Sequence, residues 1–288
     1  MFGKKGAFTI RRCKNCGLGW CDPMLTGKRA KEYYPSTTYY SYSDAGQKGF
    51  FSGLRTYMVL RARKPTVISS LLGLFISVPA IPDWRKHGKL LDIGCGSGTT
   101  ISLLKKIGWE VYGLDIDKHA IAAAQKNGLS NVTLGGYHGL TKYPDGFFDV
   151  IRLYEVIEHL DRPDDCIQAA YKKLKKGGEL IIGTSNFDSL VRRIFGTYWY
   201  NLDTPRHTYQ FTPKTLKKII SSAGFTISSV QFSSAAGWVG SIQYVLEEFL
   251  SKKLDLINKP LIVLLFYPWE WILDRLHTGD IFVIRARK

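Results

Sequence analysis

The chain has 288 residues, 45% of them hydrophobic and 13% aromatic, with a formal net charge of +16. That apolar share excludes wholesale disorder, and the length accommodates one large α/β domain with accessory segments. Residues 1–90 carry 16 of the 40 Lys and Arg but 4 of the 24 Asp and Glu, so the excess charge sits in the N-terminal third. It suits an anionic partner such as a lipid surface, a phosphorylated substrate or nucleic acid, or serves as a solvated basic face.

Residues 1–50 form a basic, Tyr-rich segment. The start, MFGKKGAFTIRRC, has no apolar run of signal-peptide length, so the expected compartment is the cytoplasm, with a peripheral position at the inner membrane as a further expectation. Cys13 and Cys16 have the spacing of a zinc knuckle, but a structural zinc needs four ligands, and here only Cys21 stands near the pair. Zn²⁺ at Cys13/Cys16 is therefore expected to be incomplete. Tyr33, Tyr34, Tyr39, Tyr40 and Tyr42 read as packing of a lid or as a stacking surface for a sugar or base. Residues 51–88 read as a helical apolar cap. Within it Thr66–Ile81 is free of charge over sixteen residues, short of the ~20 needed for a membrane span, and bounded by Arg61, Arg63, Lys64, Arg85 and Lys86. It fits an interfacial helix or one packed on the main domain, and Pro260–Trp269 is ambiguous in the same way. No transmembrane helix is expected.

From 89 to 288 strand and helix patterns alternate. Short apolar runs at Lys89–Ile93, Glu110–Asp115, Val132–Leu134, Phe148–Leu153 and Glu179–Thr184 read as strands. Helical patterns lie between them at Thr99–Ile107, Lys118–Lys126 and Pro163–Leu174, the last stopped by Gly177-Gly178. This alternation predicts an α/β fold, a doubly wound parallel sheet with helices on both faces. Further on come a helix at Thr212–Ala223, a strand at Thr226–Phe232, helical stretches in 237–275 and a last strand at Asp280–Arg285, the two late strands being expected as a pair added antiparallel to the sheet edge.

The sharpest motif is Leu91-Asp92-Ile93-Gly94-Cys95-Gly96-Ser97-Gly98, between a predicted strand and a predicted helix. Glycines there let the chain turn tightly and approach a ligand closely. Gly-x-Gly-x-Gly differs from the Gly-x-Gly-x-x-Gly of dinucleotide binders, and no Gly-Lys-Ser/Thr follows, which excludes a P-loop. Asp92 suits a ligand bearing an ammonium rather than a pyrophosphate. Asp115, at the end of the second strand, suits a ribose diol.

LDIGCGSG followed by GLDID resembles the first motif and acidic strand end of class I S-adenosylmethionine-dependent methyltransferases, and PDGFFDVIRLYEVIEHL and LKKGGELIIGTSN resemble their fourth and fifth strands. YWYNLDTPRHTYQFTPKTLKKIISSAGF is similar to a subgroup including ubiquinone-biosynthesis O-methyltransferases. The resemblance covers roughly 89–225. It implies a seven-stranded Rossmann-like sheet capped by the N-terminal segments. It also implies S-adenosyl-L-methionine as co-substrate: Gly94, Cys95, Gly96 and Gly98 along its methionine part, Asp92 facing its amino group, Asp115 on the ribose and Ile116 against the adenine. Tyr154 stands at the same strand tips. Relatives often have an Asp after the third strand; here the stretch is GGYHGL, so Tyr137 or His138 is the candidate adenine contact.

Tyr154-Glu155-Val156-Ile157-Glu158-His159 follows the fourth strand. As the first turn of a helix it would put Glu155, Glu158 and His159 on one face, a donor set for a divalent metal such as Mg²⁺. The resemblance extends to O-methyltransferases that use an E-x-x-E-H helix, some with a later His, to bind metal, and His207 is the matching candidate here. Such a metal would acidify an acceptor hydroxyl; without it, His159 or His207 could act as general base. The Glu158-His159 pair also reads as a structural brace. Trp199 and Tyr200 are candidates to line the acceptor pocket. The leading expectation is O-methylation of a small-molecule, glycan or lipid-linked acceptor. RNA 2′-O- or base methylation is the alternative, with nucleic acid the less favoured partner because no RNA-binding module is visible. A non-catalytic donor-binding or membrane-surface scaffold is the other.

Overall fold

The computed structural model describes residues 7–25, 32–33, 50–234 and 236–288. Tyr34, Tyr39, Tyr40 and Tyr42 lie outside the described residues; Tyr33 packs edge-on against Phe8 at 5.7 Å.

The elements in chain order are β1 (Thr9–Arg12), β2 (Gly19–Asp22), α1 (Phe50–Arg61), α2 (Val67–Leu72), β3 (Lys89–Ile93), α3 (Thr99–Lys106), β4 (Glu110–Asp115), α4 (Lys118–Lys126), β5 (Val132–Leu134) and β6 (Phe148–Tyr154). They continue with α5 (Pro163–Lys173), β7 (Leu174–Ser185), α6 (Leu190–Phe195), β8 (Tyr209–Gln210), α7 (Pro213–Ser222), β9 (Thr226–Phe232), α8 (Gly237–Leu250), α9 (Pro260–Arg275) and β10 (Ile281–Arg287). The large sheet runs β5-β4-β3-β6-β7-β10-β9. Its strands are parallel from β5 through β7, and β10 is antiparallel to both β7 and β9.

The order reverses between β3 and β6, which puts a crevice at their carboxyl ends. Apolar side chains fill both faces of the sheet, as parallel strands flanked by helices require. One cluster holds Leu91, Ile93, Leu153, Ile167 and Phe211; the other holds Leu90, Ile101, Leu104, Val150 and Ile181.

The late strand pair extends the β7 side of the sheet as expected: β10 lies between β7 and β9, antiparallel to both, with its apolar Ile281–Ile284 buried, and β9 forms the edge. Two expectations change. Thr66–Ile81 is not one long helix. Thr66 and Ser69 close a capping box on α2, and the helix stops at Leu72 before Gly73. Gly177-Gly178 does not stop α5, which ends at Lys173; the two glycines lie within β7, whose register against β6 shifts there. The N-terminal β1–β2 hairpin is completed by β8, which follows His207, in a separate three-stranded sheet.

Candidate functional site

The glycine-rich turn leaves β3 with Gly94, Gly96 and Gly98 at φ of 75°, 55° and 79°, the left-handed region that L side chains avoid. A Cβ on Gly94 would lie 2.3 Å from Val156 Cγ2 of the turn after β6. The donor loop and the β6 turn are thus in contact, and that contact needs glycine.

Asp115 at the tip of β4 buttresses the loop. Its Oδ2 accepts from Gly96 N–H at 2.8 Å and its Oδ1 from Asp117 N–H at 2.9 Å. Burial pushes its carboxyl above the usual range, opposed by the Asp117 and Gly96 amides. Each oxygen retains a further lone pair for a ribose hydroxyl. Ile116 is 76% exposed at the same tip, and a Cβ on Gly136 would lie 3.4 Å from its Cγ2. Tyr137 opens a 3-10 turn (Tyr137–Lys142) and stacks on His138 at 4.1 Å. These residues border one side of the crevice, and the donor set suits a nucleoside.

Two expected donor contacts have partners within the protein. Asp92 is buried, and both its oxygens accept from Arg152 Nη1, at 2.7 and 2.8 Å. It serves to hold the β6 guanidinium, which also donates from Nε to Ala80 O at 3.0 Å. Arg152 thus already supplies Asp92 with a cation inside the protein. Cys95 does not present its side chain to the crevice. Its thiol packs toward Gly113 of β4, and its N–H, like that of Gly94, is donated to Leu114 O. Tyr154, at the tip of β6, lies beneath the guanidinium groups of Arg152 and Arg55, at 5.0 and 5.8 Å from the ring centre.

The chain after β6 is not the first turn of an α-helix. Glu155 has φ of 55°, and only Ile157–His159 forms a 3-10 turn. The turn nevertheless gathers donors. Glu158, His159 and His207 each bring a ligand atom within 4.8 Å of the others, the one such group of three or more among the described residues. Glu155 stands outside that trio. Burial, and then the neighbouring Glu158, raise its carboxyl well above the usual range.

Glu158 is 0% exposed, and neither of its oxygens has a hydrogen-bond partner. His207 Nε2 lies 3.8 Å from Glu158 Oε1 and 3.7 Å from Asp203 Oδ2. Burial and the adjacent His159 lower the His207 pKa, so the ring is neutral at pH 7. The two imidazoles meet edge-on at 4.7 Å. His159 Nδ1 lies 2.9 Å from Arg206 O. A carbonyl can only accept, so Nδ1 carries the proton and Nε2 is the basic nitrogen. Arg206 is in turn held by Asp203, Nε at 3.0 Å and Nη2 at 2.6 Å.

Trp199 is a core residue rather than a pocket wall: it is 1% exposed, and its Nε1 donates to Asp280 Oδ1 at 3.0 Å. Tyr200 packs on Gly240 and Tyr244. In the N-terminal knuckle Cys13 N–H donates to Leu18 O and Gly17 N–H to Cys13 O. The backbone amides of Cys16 and Asn15 lower the Cys13 thiol pKa. Cys21 is buried on β2 and does not join the pair in a three-ligand group.

A family model described as a methyltransferase domain matches residues 65–230. The chain belongs to the methyltransferase-domain family. By family and fold it is a class I S-adenosylmethionine-dependent methyltransferase domain. It is 29% identical over 154 residues to a ubiquinone biosynthesis O-methyltransferase of Pseudomonas fluorescens, a match covering 49% of this chain and 66% of that protein. A protein of the same name from Pseudomonas entomophila is 30% identical over 131 residues, covering 43% of this chain and 56% of the relative. The chain thus matches less than two thirds of the length of these curated relatives. Among solved structures, the S-adenosylmethionine-dependent methyltransferase of Archaeoglobus fulgidus aligns with a TM-score of 0.51 at 22% identity, covering 85% of this chain and 98% of that one. A cyclopropane synthase of Mycobacterium tuberculosis aligns with a TM-score of 0.50 at 18% identity, covering 82% and 84%. At those identities the likeness concerns the fold.

The methyltransferase domain also depends on residues that sequence patterns alone do not reveal. Arg152 reads as an oddity inside an apolar strand, and an unpaired charge there is itself the signal that a carboxylate must be near. Asp203 and Arg206 lie i, i+3 around Pro205, a spacing that permits their ion pair.

Proposed function

We propose that the protein transfers the methyl group of S-adenosyl-L-methionine to a hydroxyl oxygen of a small-molecule, glycan or lipid-linked acceptor, with the Glu158–His159–His207 group on the acceptor side. The observation carrying this reading is Glu158: a fully buried carboxyl with Glu155 beside it and no amide or hydroxyl donor on either oxygen, grouped with two imidazoles and two residues after Val156, which meets Gly94. A buried charge without partners is costly unless a cation or a proton meets it. The donor set, one carboxylate and two imidazoles, fits a first-row divalent ion such as Fe²⁺ or Zn²⁺ better than Mg²⁺, which prefers oxygen ligands.

Glu158, His159 and His207 would hold that metal, and bound there it would lower the pKa of an acceptor hydroxyl. Arg206 O fixes the His159 ring through Nδ1 and so aims Nε2. Without metal, His207, neutral by burial, would instead take the acceptor's proton at Nε2, and Asp203 beside it favours the charged form that results. Asp115 would hold the donor's ribose, Ile116 and Tyr137 its adenine, and Gly94, Gly96 and Gly98 let the backbone approach its methionine part. The sulfonium is already activated, so most of the chain's contribution is to hold donor and acceptor in line.

The donor half is tested by calorimetry with S-adenosylmethionine and its demethylated product, where binding of both is expected. The acceptor half is tested with His207→Ala. On an accepted substrate that variant should lose turnover while keeping donor affinity, and unchanged turnover would remove His207 from the reading. Dialysis against EDTA should abolish activity and readdition of divalent ions should restore it, a first-row ion at lower concentration than Mg²⁺.

A further inference from the structure

Helix α9 is built inside out. Glu270 is buried, and its oxygens accept from Ala236 and Trp238 N–H; Asp274 likewise turns inward to Ser234 N–H. The opposite face carries Leu261, Leu265, Trp269, Ile272 and the capping Leu276, spaced by four, four, three and four residues, so that they stack along one side. Leu261 is 80% exposed, Leu265 71% and Trp269 61%. A water-facing helix has the reverse arrangement.

The face continues onto the other apolar segment of the chain. Phe75 stacks on Trp271 at 5.9 Å, Trp271 Nε1 donates to Leu74 O at 3.2 Å, and Tyr267 Oη donates to Phe75 O at 2.7 Å. Leu74, Phe75 and, along α2, Val67, Ile68 and Leu71 are themselves exposed. Patches of this extent on soluble monomers mark interaction sites.

Cations flank both segments. Arg61, Arg63 and Lys64 precede α2, and Lys252, Lys253 and Lys259 precede α9; all six are exposed. No acidic residue occurs between Asp44 and Asp83. Arg275 lies on the seam, its Nη2 2.5 Å from Leu74 O. A second copy of this chain, net charge +16, would bring like charges together around the patch. An anionic lipid surface would complement it, with leucines and tryptophan entering the acyl boundary and lysines and arginines at the headgroups. No helix among the described residues is long and apolar enough to cross a membrane, which leaves in-plane docking.

We infer that the joined faces of α2, the 71–76 segment and α9 form a docking surface for an anionic phospholipid bilayer. This surface shares no residue with the methyl-transfer site, and the membrane test needs no methyl donor, so its failure would leave the proposed chemistry untouched.

The full chain is co-sedimented with vesicles of phosphatidylcholine alone and of phosphatidylcholine with about 30% phosphatidylglycerol. Wild type should pellet with the anionic vesicles and much less with the neutral ones. Leu265→Glu/Trp269→Glu should lower the partition constant at least about tenfold, with an unchanged melting curve because both side chains are exposed. Lys252→Glu/Lys253→Glu/Lys259→Glu, which leaves the apolar face intact, should lower binding to anionic vesicles selectively. The inference is overturned if wild type stays in the supernatant with both vesicles, or if neither variant weakens binding. It is equally overturned if sedimentation equilibrium finds a dimer that Leu265→Glu/Trp269→Glu dissociates, since a second copy then covers the face.

Discussion

Replacing Arg152 by Met isolates the consequence of burying Asp92. The guanidinium meets both Asp92 oxygens at 2.7 and 2.8 Å and donates once more to Ala80 O, with the two side chains 5% and 3% exposed. Methionine is close in volume to the arginine stem, so the main loss is electrostatic. Breaking one side of a buried pair costs about 3–5 kcal/mol because the survivor is left charged or must take up a proton. Burial alone already pushes the Asp92 carboxyl upward, and Arg152 is what opposes it. At roughly 2–4 °C per kcal/mol for a chain of this size, the melting temperature should fall by about 6–20 °C. Urea unfolding of Arg152→Met, Asp92→Asn and the double variant closes a cycle. The double variant should recover at least half of the loss, because no charge then remains buried. An Arg152→Met protein within about 1 kcal/mol of wild type would refute the reasoning, as would a double variant in which the two losses simply add.

Other predictions concern the site and the pH response. Asp115→Ala removes the expected ribose contact and frees Gly96 N–H, so donor affinity by calorimetry should fall about 10- to 100-fold, the worth of one or two charge-assisted hydrogen bonds. Glu158→Gln should abolish any rise in melting temperature on adding a divalent ion and, with it, turnover. Glu270 has its pKa raised by burial from 4.5 to about 7. The folded state therefore holds this proton more tightly than the unfolded chain. Stability should decline as pH rises from about 4.5 to about 7, by on the order of 3 kcal/mol from this group. Thermal melts across that window should show the decline, and Glu270→Gln should flatten it, although it starts less stable at pH 5 for want of one acceptor for the Ala236 and Trp238 amides.

How much could be read beforehand varies with the range of the interaction. β3, β4 and α4 are legible because their signals are local: apolar runs that end in an acid, then a turn residue, then Asp117 capping the helix through His119 and Ala120 N–H. The left-handed turn at Gly94–Gly98 is legible for the same reason. The partner of Asp92 is not, since Arg152 is brought to it only by the parallel pairing of β3 with β6. Local spacing also misleads at Glu155. Its left-handed backbone breaks the helical register that would have aligned it with Glu158 and His159, yet tertiary folding brings His207 to the same point from a distant loop. The continuous apolar run Ile281–Ile284 is legible as a strand buried on both faces, but that β10 pairs with β7 ahead of β9 is a long-range choice that spacing within the run does not state. For α9, apolar content is obvious in sequence, but the direction of its apolar face is decided by where Glu270 and Asp274 find amides to accept from.

The stitching of the first hairpin to β8 gives the amino-terminal knuckle leverage over chemistry. Cys21 N–H donates to Thr208 O, and Gly19 and Trp20 pair with Gln210 and Tyr209, so the segment carrying His207 is clamped along one edge by residues from the opposite end of the chain. A deletion of residues 7–22 would thus not be a harmless trim. It would unclamp an imidazole, and would be met at the bench as a loss of turnover in a protein that still binds its donor.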